Sequence, residues 1–316
     1  MKLRVGTRGS DLALWQTNWV CDRLRAAHRG LDIEQIIIKT QGDLDAKSNF
    51  GRDWPVGAFV SALENALTER RVDFAVHSFK DLQTAETAGL TIAATPPREV
   101  VHDVLLLKKG VRLLFDDGEA DSRQGEATKS SLTPFWPDGA RIGTNSPRRA
   151  AQLLQFGKVE IVPIRGNVPT RIAKIERENL TGVVLAAAGL KRLGIKHPDR
   201  IDLPTDRFVP APAQGALAIQ TRVEDEAHAL CAVLDDPATR KAVVAERQVL
   251  SRINAGCHTP VGTLATVDGD RITLHAKLFS DDYSVVAEGT LEGADPIAVG
   301  TELADRLIAD LRNQKV

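Results

Sequence analysis

Between Arg141 and Arg192 the chain carries ten basic side chains against three acidic ones, inside a protein whose formal net charge is −1. Arg148 and Arg149 follow the turn Gly143, Thr144, Asn145, Ser146, Pro147, while Arg165 and Arg171 flank Gly166, Asn167, Pro169 and Thr170. These are loop-to-helix junctions after apolar strands, where free backbone N–H groups and the helix dipole favour an anion. The set therefore suits a multiply negative small molecule. Taken singly, each arginine could equally belong to a solvated helix face.

A second constellation is His77, Ser78, Phe79, Lys80, Asp81 at the end of the apolar run Val72 to Val76. A carboxylate beside a cation at a strand's carboxyl end can stabilise a cationic intermediate or pass a proton. The same spacing suits a Lys-Asp pair on a surface turn, and His77 follows strand alternation as a core histidine would. Arg8, in the strand-to-helix turn Gly6, Thr7, Arg8, Gly9, points to the same sheet edge.

Cysteine chemistry narrows to one position. Cys21 and Cys231 fall on apolar helical faces and read as packing residues, whereas Cys257 sits in the turn Gly256, Cys257, His258, Thr259, Pro260. That context can expose a thiol and lower its pKa, although a lone turn cysteine is commonly inert. No cluster has metal-ligand spacing.

These residues need an alternating α/β frame to hold them. Leu3 and Val5 begin a strand, Ser10 caps a helix over 11–27, and 33–39, 72–76 and 90–94 read as further strands. Residues 41–56 show no clear period and read as a loop, followed by a helix over 57–71. From Asp103 the alternation resumes, interrupted by a polar stretch over 110–139 that carries little of the core. Pro147 and Pro169 open two helices. Pro210, Pro212, Gln214 and Gly215 form a rigid crossing, after which 216–221 reads as a strand that rejoins the first unit and makes a hinge. Three antiparallel strands and a covering helix end the chain.

Composition sets the outer bounds. With 316 residues, 43% hydrophobic and 26% charged, the chain can build two or three proper cores. Near-neutral charge and 4% aromatic residues exclude a broad nucleic-acid surface. No apolar run is long enough for a signal peptide or membrane span, so a reducing, cytoplasmic location is expected.

The strings TRGSDLALWQ (7–16), AVHSFKDL (75–82), GTNSPRRAAQL (143–153), IRGNVPTRI (164–172), AAGLKRLG (187–194), PAQGALAI (212–219) and AGCHTPVG (255–262) stand in a familiar order. Over essentially its whole length the chain resembles the porphobilinogen deaminase (hydroxymethylbilane synthase) family. The resemblance implies two α/β domains similar to the hinged halves of periplasmic binding proteins, plus a small α+β C-terminal domain. The expected boundaries are 1–99 with 215–234, then 100–212, then 235–316. It also implies condensation of four porphobilinogen units with release of ammonia, primed by a covalent dipyrromethane cofactor.

By motif matching, Cys257 would carry the cofactor and Asp81 would assist deamination. Arg8, Arg148, Arg149, Arg165, Arg171 and Arg192 would bind the carboxylates of the growing chain. Ser10, Ser78, Lys80, Thr144, Ser146, Gly166, Asn167, Gln214 and, more loosely, Gln16 would contact substrate or cofactor. Porphobilinogen would be the partner, with no nucleic acid or membrane, and the chain a monomer. The lid departs from the family pattern at Val56 and Ser61, where lysines are usual. That departure and the unusually long polar stretch over 110–139 admit a paralogue acting on another pyrrole acid or stopping at another length, and the two βα halves alone would also suit a non-catalytic small-anion binding protein.

Overall fold

The computed structural model describes residues 1–39, 60–111, 113–115, 134–253 and 259–314. Its first sheet runs β2-β1-β3-β12-β4. Parallel β1 (Lys2–Thr7), β2 (Asp32–Ile37) and β3 (Phe74–Ser78) are joined through α1 (Asp11–Ala27) and α2 (Ser61–Thr68). β4 (Leu90–Ala94) lies at the edge, and β12 (Leu217–Arg222) inserts antiparallel between β3 and β4. Such sheets need apolar residues on both faces. Leu3, Val5, Phe74, Val76 and Ile219 supply one face, packed with Cys21 and Cys231, and Ala75 packs with Leu63 and Leu67 of α2 on the other. Burial pushes those thiols up to about 11 and about 12, as expected of packing cysteines.

The chain leaves this sheet after β4 and enters a second, ordered β11-β5-β10-β8-β9. β5 (Asp103–Leu107) is flanked antiparallel by β10 (Gly182–Ala186) and β11 (Arg200–Asp202), and β8 (Arg141–Gly143) and β9 (Glu160–Val162) continue in parallel. Helices α3 (Pro147–Gln155), α4 (Val168–Arg177) and α5 (Ala187–Arg192) connect them. Within the polar stretch, β6 (Leu114–Phe115) pairs with β7 (Pro134–Phe135). The core takes two residues from the margins of this stretch. Leu113 and Trp136 are buried against Leu105, Ile142 and Phe208.

After β12 come α6 (Glu226–Ala232) on the first sheet and α7 (Pro237–Arg252) on the third. The third sheet is the antiparallel meander β13 (Val261–Asp268), β14 (Arg271–Phe279), β15 (Val286–Gly293), covered by α7 and α8 (Pro296–Asn313). The chain thus forms two mixed α/β units and a small α+β unit, and the α/β units are linked by two crossings, β4 to β5 and β11 to β12.

The crossings lie backbone to backbone. Glu99 N–H donates to Gly215 O, and a Cβ on Gly215 (φ +88) would sit 2.5 Å from Glu99 O, so only glycine fits there. The third unit docks on the same segment, with Thr263 N–H donating to Pro210 O at 2.9 Å.

Candidate active site

Three N-caps place the junctions. Ser10 Oγ accepts from Ala13 N–H, Ser146 Oγ from Arg149 N–H and Asn167 Oδ1 from Thr170 N–H. Each cap satisfies a donor that would otherwise be left open. Thr144 is buried, and its Oγ1 accepts from Ser146 N–H at 3.2 Å, tightening the turn before α3. Gly166 (φ +114) leaves no room for a Cβ, which would lie 2.6 Å from Thr170 Cγ2. Its carbonyl accepts from Arg171 Nε at 2.7 Å.

Asp81 closes a single 3₁₀ turn, Phe79–Asp81, immediately after β3, and its side chain is exposed. Below it Phe79 is buried, with Arg247 of α7 4.7 Å over its ring. The same guanidinium donates to the carbonyls of Phe79, Leu82 and Gln83. A helix of the third sheet therefore clamps the turn that carries Asp81. Ser78 Oγ accepts from Gln16 Nε2 at 2.8 Å, which ties the turn to α1. His77 is buried and burial lowers its pKa to about 4, so it stays neutral, as a core histidine would.

Lys80 is half-buried beside Asp81, and its Nζ donates to Gln214 Oε1 at 3.4 Å. Desolvation lowers its pKa to about 8; Arg149 adds to the shift, and Asp81 and Asp103 oppose it. Arg171, half-buried at the start of α4, is lowered by burial and by Arg149, with Asp81 opposing. Asp81 of the first sheet thus lies within electrostatic reach of cations from both sheets. Arg8 is half-buried in the β1–α1 turn, and Arg165 is exposed before α4.

Arg148 and Arg149 are not solvated. They are 4% and 6% exposed, and both converge on Asp103, which is 0% exposed. Arg148 Nη1 lies 2.8 Å from Asp103 Oδ2, and Arg149 Nη2 lies 2.7 Å from Oδ1. Burial alone would raise the Asp103 carboxyl, but the two guanidinium charges outweigh it and hold it well below the usual range. Sequence reasoning missed Asp103 as part of the site and used it only to begin a strand. The available signal was one acid opening an otherwise wholly apolar strand, since a buried carboxylate requires cationic partners.

Arg192 stands apart from this cluster. It is buried, donates to Gly215 O at 2.7 Å and lies 5.9 Å from the Trp15 ring. Burial lowers it to about 10, with Glu99 opposing. Cys257 and the lid positions Val56, Gly57, Ala58 and Phe59 lie outside the described residues, while Ser61 begins α2.

Comparison with known proteins covers nearly the whole chain. The profile described as porphobilinogen deaminase, dipyromethane cofactor binding domain, matches residues 3–229, and that of the porphobilinogen deaminase C-terminal domain matches 240–309. The chain is 41% identical to a porphobilinogen deaminase of Trichlorobacter lovleyi, covering 98% of this chain and 93% of that protein. It is 42% identical to porphobilinogen deaminase 1 of Streptomyces avermitilis, covering 97% and 95%. Among solved structures, the methionine binding protein MetQ aligns at 12% identity and TM-score 0.39, over 74% of this chain and 89% of that one. The effector binding domain of a BenM variant aligns at 14% identity and TM-score 0.39, over 80% and 96%. Likenesses this loose carry no argument.

Proposed function

The chain belongs to the porphobilinogen deaminase family, transferases that form hydroxymethylbilane from porphobilinogen in tetrapyrrole biosynthesis, and we propose that it does so with Asp81 as the proton-handling and cation-stabilising group. The observation that carries this role is the placement of Asp81: exposed, on a clamped turn, and electrostatically coupled to Lys80 of its own sheet and Arg171 of the other. A carboxylate so placed can face a developing cation while neighbouring cations take up substrate carboxylates.

The donor set suits a dipyrromethane bearing several carboxylates. Arg148 Nε is buried without a hydrogen-bond partner among the described residues, and Lys80 and Arg171 are cations within electrostatic reach of Asp81. When bound, this group supplies the pyrrole position at which the chain is extended. Lys80, Arg149 and Arg171 would bind and orient the acetate and propionate arms, with Ser78, Ser146 and Asn167 as hydroxyl and amide contacts. Arg8, Arg165 and Arg192 extend the path for a lengthening chain, with Cys257 as its tether.

The division into 1–99 with 215–234, 100–212 and 235–316 is supported by the three sheets. The reading also has the chain acting in the cytoplasm as a monomer. The deciding experiment is intact-protein mass spectrometry of folded protein before and after porphobilinogen. A modified Cys257 followed by stepwise ring additions is expected, whereas an unmodified thiol with no adduct series and no ammonia release would remove the reading.

A further inference from the structure

Asp103 takes four hydrogen bonds in a site with no solvent access: from Arg148 Nη1 at 2.8 Å, Arg149 Nε at 3.1 Å, Arg149 Nη2 at 2.7 Å and Gln214 Nε2 at 3.1 Å. A guanidinium has five N–H groups. In Arg149 the Nε–H and one Nη2–H go to Asp103 Oδ1, and one Nη1–H goes to Val184 O at 3.0 Å. One N–H therefore remains on each Nη. These are the donors that Arg149 can still offer to an incoming carboxylate.

Gln214 extends the arrangement to the other sheet. It lies on the second crossing, its Oε1 accepts from Lys80 Nζ at 3.4 Å, and its Nε2 is shared between Val101 O at 2.7 Å and Asp103. One carboxylate is thereby joined to two arginines of α3 directly and to Lys80 through a single amide. Its charge also offsets one of the two guanidinium charges, which would otherwise repel each other and the Lys80 ammonium across a desolvated space.

We infer that Asp103 is the positioning residue of this site: it fixes which N–H groups Arg149 presents and ties them, through Gln214, to Lys80 on the facing sheet. Donors from two sheets then act as one carboxylate receptor. The inference rests on reading Arg149 and Lys80 as carboxylate donors, and it requires that Lys80 feel the loss of the Asp103 charge. The charges facing Lys80 are Arg149 and Arg148 from α3, Asp103 from β5 and Asp81 from its own turn.

The test is Asp103→Asn in the full chain, with folding checked by circular dichroism. The pH at which Lys80 is half-modified by reductive methylation, read by peptide mass spectrometry, is expected to fall by about one unit, since the amine loses a supporting charge. In the same variant kcat/KM for porphobilinogen is expected to fall at least about tenfold. Either an unmoved Lys80 midpoint or an unchanged kcat/KM overturns the inference. If the wild-type chain itself does not turn over porphobilinogen, the functional reading fails while the Lys80 midpoint still decides this one. Should Asp103→Asn not fold, Gln214→Leu carries the test: it leaves the Asp103 charge in place and cuts the amide join along with the bond to Val101 O, a smaller fall in the Lys80 midpoint is expected, and no fall overturns it.

Discussion

Arg98 grips Glu246 end-on, Nη1 at 2.7 Å from Oε1 and Nη2 at 2.9 Å from Oε2, and so fastens the first crossing to a helix of the third sheet. Glu246 is fully buried and also accepts from the N–H groups of Ala213 and Ala265. Removing one partner of a buried pair strands the other, which costs about 3–5 kcal/mol. Arg98→Ala is therefore expected to lose about that much stability in urea denaturation. A loss below about 1 kcal/mol would mean that the pair is screened by water.

Asp81→Ala should leave the unfolding midpoint unchanged, because the side chain is exposed and the turn is held by Phe79 and Arg247. Turnover should drop by about 10²–10⁴, the range for a lost proton-transfer group. Steady-state kinetics with porphobilinogen measures it, and near-normal turnover would return Asp81 to the class of surface carboxylates.

The Arg247 clamp predicts a different pattern. Arg247→Met keeps an apolar stem against Phe79 but removes the donors to three carbonyls of the turn. A small displacement of Asp81 should lower kcat by roughly tenfold with KM little changed. A rise in KM at constant kcat would show that the clamp serves binding instead.

Lys80 sets two opposite pH dependences. Its folded value of about 8 lies below its ordinary 10.5, so between those values the unfolded chain binds more protons and this group's contribution makes stability rise with pH. Affinity for a polycarboxylate runs the other way and should weaken, by roughly tenfold, as pH rises from 7 to 9 and the ammonium is lost. Calorimetric titration at the two pH values checks this, and Lys80→Met should remove most of the difference.

Local chemistry was legible where it is short-ranged. Ser10, Ser146 and Asn167 announce their caps because a cap needs only a side-chain oxygen and a donor within three residues. The return of residues 216–221 to the first sheet was legible from one rigid crossing and one apolar run. Arg148 and Arg149 were expected as site arginines, but their burial was not foreseen, because Asp103, which draws them inward, lies 45 and 46 positions away in the chain. The clamp on the Asp81 turn was equally hidden, since Arg247 is one charge among several on α7. Leu113 and Trp136 join the core as isolated anchors with no periodic neighbours to reveal them.

The two crossings between the α/β sheets restrict how those sheets can move. A body attached at one point can swing, tilt and twist, whereas one attached at two neighbouring points turns chiefly about the line that joins them. At Gly215 the two attachments touch, and Gln214 next to it is bonded to Arg98 and Val101 of the other crossing. Residues near the axis barely travel while those far from it sweep the widest arc. A turn about that line would leave the bond from Gln214 to Asp103 intact while it carried Arg171 away from Asp81, as a gate keeps its pivot pin while its free edge clears the post.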